Sequence, residues 1–293
     1  MFALACTQAR KFTRPVIVSH VQTDGKCGAG VGAYVVINED GWFVTADHIL
    51  SMIGEMSTTC KAVQTYNAFV AAVEGDPKLT AKERQRKIAS MKKPPKEAPM
   101  DFSPYWGASL EVEAVHSLPD VDLAVGKFKK FDGASVASYP IFKDPSQPID
   151  QGISLCKLGY PFYEVTPKYT KGKGFELPPG SVPLPCFPID GIFTRNVNVV
   201  TTGPARTYPL KFLETSSPGL RGQSGGPTFD AKGTVFAIQS RTQHFPLGFD
   251  THHGQGKKRT LVPQFLNVGW GVHVATVVGF LEELGVGFRK SDY

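Results

Sequence analysis

Short runs of β-branched and aromatic residues, each closed off by Gly, Pro, Asn or Asp, recur along the whole chain and leave few folds open to it. Pro15 to Val21 is the first. Ala33–Ile37 and Trp42–Thr45 follow as a pair joined by the turn Asn38-Glu39-Asp40-Gly41. Leu110–Val115, Leu123–Phe128, Ile153–Leu158, Val197–Thr202, Val235–Gln239 and Gly269–Val274 continue the series. Thirty Gly and 23 Pro supply the turns, and they show neither a collagen-like period nor an internal repeat. Many short strands between turn signals predict an all-β barrel or sandwich body with minor helical content.

Two stretches break this pattern. Residues 55–93 read as helical, with Val63, Tyr66, Phe69, Val70 and Val73 on one face. Asp76-Pro77 divides the stretch, Thr80 and Glu83 have the form of a capping box, and Pro94-Pro95 stops it. The expectation is a helical hairpin inserted in the β scaffold. At the other end Val277, Phe280, Leu281 and Leu284 share a helical face within Thr276–Leu284. Residues 171–188 read as a Gly/Pro-rich surface loop.

Net charge of +6 invites a nucleic-acid or membrane reading, but its position answers it. Residues 78–97 carry eight Lys/Arg and two Glu, leaving 24 basic and 24 acidic residues elsewhere. The excess therefore belongs to the insert, and nucleic acid is not expected on the rest of the chain. A solvated charged helix is the simpler reading of 78–97; a docking arm for an acidic protein, such as a regulatory partner, or for nucleic acid is the functional one. No apolar run approaches the ~20 residues of a membrane span. Cys6, Cys27, Cys60, Cys156 and Cys186 have no CxxC spacing and make neither a disulfide framework nor a zinc signature. The apolar start MFALAC is shorter than a secretory core of ~7–15 residues, so the expectation is a cytoplasmic protein with reduced thiols. No metal or cofactor is expected.

The sharpest chemical signal is Gly222-Gln223-Ser224-Gly225-Gly226-Pro227. Glycines around a serine let the backbone turn tightly and aim successive N–H groups at one point, where an attacked carbonyl develops negative charge. A serine needs a base, and the base an orienting group. His48 ends the run Val44-Thr45-Ala46-Asp47-His48, and Asp122 precedes the apolar strand Leu123-Ala124-Val125. Asp120 is a rival acid. The same GxSxG also fits the nucleophile elbow of α/β-hydrolases, with Asp230 or Asp250 followed by His252, His253 or His273. That elbow needs a strand before the serine and a helix after it. Ser216–Arg221 and Pro227–Gly233 are both turn-like instead, and alternating βα units are missing.

As a set, GWFVTADH, DLAVGKF and GQSGGP resemble the signature segments of the chymotrypsin-like (trypsin-like) serine protease family. The likeness is closest to bacterial HtrA/Deg-type peptidase domains, here without a PDZ domain. Leu158-Gly159-Tyr160-Pro161 and Val268–His273 add to it, and it runs from about Pro15 to Leu284 outside the insert. It implies two antiparallel six-stranded β-barrels with a catalytic cleft between them. Residues 12–135 would form the first, interrupted by an insertion at 52–104, and 136–293 the second. Ser224 would be the nucleophile, His48 the general base and Asp122 its orienting acid, because the family's acid directly precedes the Leu-Ala pair. The N–H groups of Gly222 and Ser224 would form the oxyanion hole. Pro218 would floor the substrate pocket, with Ile238, Gln239, Ser240, Thr242, Gly269 and Gly271 as its walls. The resemblance thus implies a serine endopeptidase acting on a protein or peptide, through an acyl-enzyme, on a specific intracellular target. A protease fold that binds without turnover is the alternative.

Two departures narrow this expectation. Gln223 stands where zymogen-activated relatives carry an Asp, and it cannot pair with a newly cut N-terminus, so activity should not require N-terminal processing. Pro218 offers no acid to a substrate Lys or Arg, which predicts cleavage after small or medium apolar residues. His252-His253, flanked by Gly254, Gln255 and Gly256, reads as a solvated loop rather than a metal site. His20, His116, His244 and His273 have no partner spacing, and Lys171–Gly174 lacks the ending of a phosphate loop.

Overall fold

The computed structural model describes residues 1–107, 110–201, 206–253 and 260–293. After a short helix α1 (Ala3–Ala9), the strands β1 (Thr13–Gln22), β2 (Cys27–Val36) and β3 (Trp42–Ala46) run on as an antiparallel meander. Two helices follow, α2 (Asp47–Gly75) and α3 (Ala81–Ser90), and then β4 (Pro99–Tyr105), β5 (Val112–Leu118) and β6 (Leu123–Phe128). These six strands make one antiparallel sheet in the order β4-β1-β2-β3-β6-β5. Among the described residues β4 and β5 pair with no further strand, so the first expected barrel is a curved open sheet. Pro99 and Pro104 account for one edge, since a strand with prolines lacks the donors for a second neighbour. Helix α2 lies against that edge, Cys60 Sγ donating to the Pro99 carbonyl at 3.3 Å.

The second half builds a closed ring. Its strands are β7 (Ile141–Phe142), β8 (Ser154–Gly159), β9 (Lys168–Thr170), β10 (Gly174–Glu176), β11 (Phe187–Asn198), β12 (Lys211–Thr215), β13 (Pro227–Phe229), β14 (Val235–His253) and β15 (Thr260–His273). Pairing runs β13-β8-β11-β12-β15-β14 and returns to β13, which closes a six-stranded barrel without an edge. Helix α4 (Val274–Glu283) packs its buried face, including Val277, Phe280 and Leu281, onto the barrel. His273 caps it, Nδ1 accepting the Ala275 N–H at 2.9 Å. Strand β16 (Arg289–Lys290) pairs with β7, and β9–β10 forms a separate small hairpin across the start of the expected surface loop.

The helical hairpin stands as expected at its division and cap: Thr80 Oγ1 accepts the Glu83 N–H, and Glu83 Oε2 accepts the Thr80 N–H. Val63 and Val73 are buried on α2, while α3 buries none of its residues. Several boundaries differ from the sequence reading; the expected strand at Val197, for one, is only the end of β11. Helix α2 begins at Asp47 rather than near residue 55, and Pro99–Tyr105 is a strand paired with β1 rather than insert. The apolar start of the chain is used locally: Ala5, Cys6 and Ala9 of α1 are buried in the main core.

Candidate active site

The change from β3 to α2 between Ala46 and Asp47 fixes His48 in the first turn of a helix, its backbone N–H held by the Asp122 side chain just before β6. Asp122 follows a single 3₁₀ turn and takes the left-handed conformation, φ +59°, which a short polar side chain tolerates. That conformation turns its carboxylate toward the helix start. Asp122 Oδ1 accepts the His48 backbone N–H at 2.8 Å, and Oδ2 lies 2.9 Å from His48 Nδ1. Ser240 Oγ donates to Oδ2 at 2.6 Å, and Arg241 Nη2 stands 3.9 Å from the same oxygen. The Asp122 side chain is 9% exposed. Burial alone would raise its pKa, but the hydrogen bonds from His48 and Ser240 outweigh it and hold Asp122 below the ordinary carboxylate value. An ionised carboxylate only accepts, so the proton of His48 sits on Nδ1 and Nε2 is left as an acceptor. The His48 side chain is 52% exposed and opens to the cleft.

Ser224 comes from the other sheet. Gly222 has φ +92°, and a Cβ there would lie 2.3 Å from the Tyr160 carbonyl oxygen, so only glycine fits. Gly225 has φ +81° and faces the Ala33 carbonyl just as closely. The N–H groups of Gln223, Gly225 and Gly226 are used within the protein, on Leu220, Gln239 and Gln223 carbonyls. Among the described residues, those of Gly222 and Ser224 donate to no protein acceptor. Gln223 is fully buried and serves its own loop, Oε1 accepting the Leu220 N–H at 2.9 Å.

The Ser224 carbonyl accepts the Ala33 N–H of β2 at 2.8 Å, which docks this loop on the first sheet. Ser240 then joins the three segments. Its hydroxyl holds Asp122, and its carbonyl accepts from Ser224 Oγ at 3.4 Å. The Ser224 hydroxyl is thus bonded to Ser240 rather than to His48. Both residues face one cleft of about 860 Å³, whose walls include Val31, Met52, Tyr163, Arg221 and Gly222.

The expected pocket residues are arranged less openly. Gln239 is 2% exposed and bonds through Nε2 to the Arg241 and Trp270 carbonyls. The same Nε2 lies 2.2 Å from where a Gly219 Cβ would be. Ile238 is in the barrel core, and Gly271 packs on Ala237. Thr242 Oγ1 donates to the Gly219 carbonyl at 2.6 Å. Beneath Pro218 and Gly269 lies Lys157, 1% exposed, its Nζ donating to Thr215 Oγ1 at 3.0 Å and to the Ser217 and Pro218 carbonyls at 2.5 and 2.9 Å. Burial lowers its pKa to about 7. Nothing in the motif set pointed to Lys157 or to the bond from Ser240 to Asp122. A lysine inside an otherwise apolar strand, Leu155-Cys156-Lys157-Leu158, was the available signal.

Other candidates are placed apart. Asp120 is exposed. Asp230 binds the Tyr293 hydroxyl at 3.1 Å, and His273 is the buried cap of α4, its pKa lowered to about 3 by burial. Neither approaches Ser224, and the serine loop is followed by β13 rather than by a helix, which is not an elbow. His244 pairs with Asn267 at 2.6 Å. His252 and His253 end β14; Gly254, Gln255 and Gly256, like Thr202, lie outside the described residues. No helix among the described residues is long and apolar enough to cross a membrane.

A six-stranded closed barrel set against a six-stranded sheet, with His, Asp and Ser segments meeting at their junction, defines the chymotrypsin-like class of serine proteases. The model of the trypsin-like peptidase domain matches residues 30–238. The chain belongs to that family and is a serine peptidase, a hydrolase. Among solved structures it is similar to the active form of the Rv3671c protease from M. tuberculosis, with 15% identity, a TM-score of 0.46, and coverage of 98% of this chain and 85% of that one. It is also similar to the HtrA-type protease AlgW in a serine-to-alanine form with a tripeptide, at 14% identity and a TM-score of 0.45, over 97% of this chain and 63% of that one. No curated protein sequence matches it.

Proposed function

We propose that the chain is an endopeptidase in which Ser224 attacks the substrate carbonyl, His48 Nε2 takes the serine proton and Asp122 holds the imidazole. The proton then passes from His48 to the leaving amine, and water repeats the sequence on the acyl-enzyme. The N–H groups of Gly222 and Ser224, which have no protein acceptor among the described residues, would bind the oxyanion. The observation that carries this reading is the Asp122 carboxylate accepting from His48 Nδ1, which leaves Nε2 basic on the cleft side. The Ser224 hydroxyl would exchange Ser240 for His48 when substrate enters, as catalytic hydrogen bonds often tighten only in the complex. Residues 12–135 and 136–293 would be the two functional halves, His48 and Asp122 on one and Ser224 on the other.

Gln223 supports activity without N-terminal processing, because it stabilises its loop through Leu220 and needs no new terminus. Full-length protein inert until its first ~20 residues are removed would overturn that point. The Gln239 side chain against Gly219 leaves a shallow pocket, suited to small or medium apolar residues before the cut; strict cleavage after Arg in a peptide-library digest would refute it. The central test is covalent labelling by a fluorophosphonate. Wild-type protein should label, and Ser224→Ala and His48→Ala should not, with turnover falling by ~10⁶ in each. Wild-type protein that never labels would return the chain to a binding module.

A further inference from the structure

The inward positions of the second barrel are apolar at Leu155, Leu213 and Ala237. At one mouth of the barrel that pattern breaks. Phe212 pairs with Val272, which sets Lys211 of β12 across from His273 of β15, and Asn196 of β11 lies opposite Leu213. Side chains alternate along a strand, so Lys211 and Asn196 share the face of Leu213, and His273 shares that of its partner Ala237. All three line one cavity of about 320 Å³, whose remaining wall is residues 145–149. Among the described residues that line it, none is Asp or Glu.

The polar groups that meet there are not used by the fold. His273 is 3% exposed and its Nδ1 accepts the Ala275 N–H, so the proton of the neutral ring is on Nε2. Among the described residues no acceptor takes that proton. Burial, with Lys211 and Lys143 nearby, lowers the pKa of His273 to about 3, and the ring stays a neutral donor. Lys211 is half-buried, and burial lowers its pKa. Its Nζ has neither an ion pair nor a hydrogen bond among the described residues, whereas Lys157 meets three oxygens. Buried Lys143 donates to the Asp144 and Gln147 carbonyls at 3.1 and 3.5 Å, which ties a further cation to the loop that walls the cavity. The acids flanking that loop are turned elsewhere. Asp144 Oδ1 accepts from the Ser146 N–H and hydroxyl and lies 3.6 Å from Lys290 Nζ, and Asp150 is exposed. Helix α4 begins at Val274 and adds its positive end beside His273.

An ammonium without an acceptor, beside a buried N–H without one, is satisfied by an anion placed between them. The donors come from β11, β12 and β15, and so from three directions. A carboxylate offers two oxygens in one plane, whereas a phosphate group offers at least three around a tetrahedron. We propose that this barrel mouth is a binding site for a phosphate group, held by His273 Nε2–H, the Lys211 ammonium and the Asn196 side-chain amide. The volume suits inorganic phosphate or the phosphate of a small monoester. The cavity shares no residue with the cleft that holds His48 and Ser224, so the site does not depend on which residue is the nucleophile. Its occupant joins three strands to residues 145–149, and the stability of the second barrel then rises with phosphate concentration.

The test titrates inorganic phosphate into the full chain at constant ionic strength, followed by calorimetry and by NMR of the imidazole rings. One saturable site with a Kd below about 1 mM is expected, the His273 ring signal moving along the same isotherm and acetate leaving it in place. Lys211→Met should weaken binding about tenfold or more, because a charge-assisted hydrogen bond is lost. His273→Asn keeps a helix-capping side chain but removes Nε2–H, and should weaken it about as much. Asn196→Ala, at an exposed position, should weaken it about threefold. Should Lys211→Met or His273→Asn fail to fold, Asn196→Ala and the movement of the wild-type His273 signal still decide. Methyl phosphate distinguishes the sources. Binding as tight as that of phosphate makes the ligand a phosphate monoester, and binding of the free ion alone makes it inorganic phosphate; either supports the site. Absence of a saturable site up to about 10 mM, equal binding of acetate, or a Kd unchanged by the variants that fold would overturn the proposal. So would binding lost in Ser224→Ala, which would put the anion in the cleft. Binding lost when the cations of 78–97 become Gln, and kept in Lys211→Met, would put it on the insert and overturn the proposal as well.

Discussion

Asp122 and Lys157 are buried ionisable groups on either side of the Ser224 loop, and they are treated in opposite ways. Asp122 receives two hydrogen bonds from His48 and one from Ser240, enough to hold its pKa down although burial pushes the other way. Lys157 spends its three donors on neutral oxygens of Thr215, Ser217 and Pro218, with no carboxylate beside it, and burial lowers its pKa to about 7. The charge of the first is stabilised by His48, which reaches the cleft, and by the buried Ser240. The charge of the second is penalised and serves only to tie β8 to the loop before Ser224. Burial by itself therefore does not mark a working group; the partners, and whether they open to solvent, do.

The largest effect should come from breaking the stabilised charge without disturbing its shape. Asp122→Asn keeps the side-chain volume but offers an amide that lets His48 adopt the wrong tautomer. Turnover of a fluorogenic peptide should fall by ~10⁴, the loss that a misplaced proton brings in a chymotrypsin-fold triad, with little change in KM. The carboxylate's contribution to stability should be present above its ordinary pKa and lost only as pH falls through the lower folded value. Turnover within tenfold of wild type would mean that Asp122 is no more a working group than Lys157.

The contrast also explains what was legible in the sequence. The proposed triad residues His48, Asp122 and Ser224 sit in short segments whose order and neighbours carry the signal, so they could be named as candidates before any contact was known. The strands around them were legible where turn residues bounded them, as at Leu123–Phe128. Lys157 was not, because its meaning comes from three oxygens about sixty residues away that only barrel closure brings near. Strand β4 was hidden by its prolines, which read as loop, and the start of α2 was hidden because His48 and Asp47 make their bonds to Asp122 and not within a recognisable cap. Ser240 was placed as a pocket wall; its hydrogen bond to Asp122 spans 118 residues of chain.

A smaller effect, on stability rather than rate, should follow from the penalised charge. Below pH 7 Lys157 is protonated in both folded and unfolded chains. Between about 7 and its ordinary 10.5 the unfolded chain binds more protons than the folded one, so stability should rise with pH. The slope is bounded by about 1.4 kcal/mol per pH unit. Burial pushes Cys156 up to about 12 and raises Tyr34 and Tyr160, and these groups act in the opposite sense above about pH 9. Urea midpoints at pH 6, 7.5 and 9 should therefore climb more steeply for wild type than for Lys157→Met, in which the buried His273 leaves a rise at the acid end. Parallel slopes for the two proteins would show that Lys157 is not the group that titrates.

Charges that are not buried at all complete the contrast, and here the expected effect is smallest. Helix α3 buries none of its residues, and of the eight cations in 78–97 only Arg84 is tied to another described residue, donating from Nη2 to the Asp76 carbonyl at 2.7 Å. Replacing the other seven by Gln removes more charge than either earlier substitution, yet in high dielectric each contributes little. Unfolding free energy should move by less than about 0.5 kcal/mol per site, and hydrolysis of a short peptide should stay within about twofold. A large loss of hydrolysis would mean that this basic segment acts on the cleft through space, and charge would then matter here outside the two buried sites. A loss confined to binding of an acidic protein would instead identify the segment as a docking arm and leave the contrast between Asp122 and Lys157 intact.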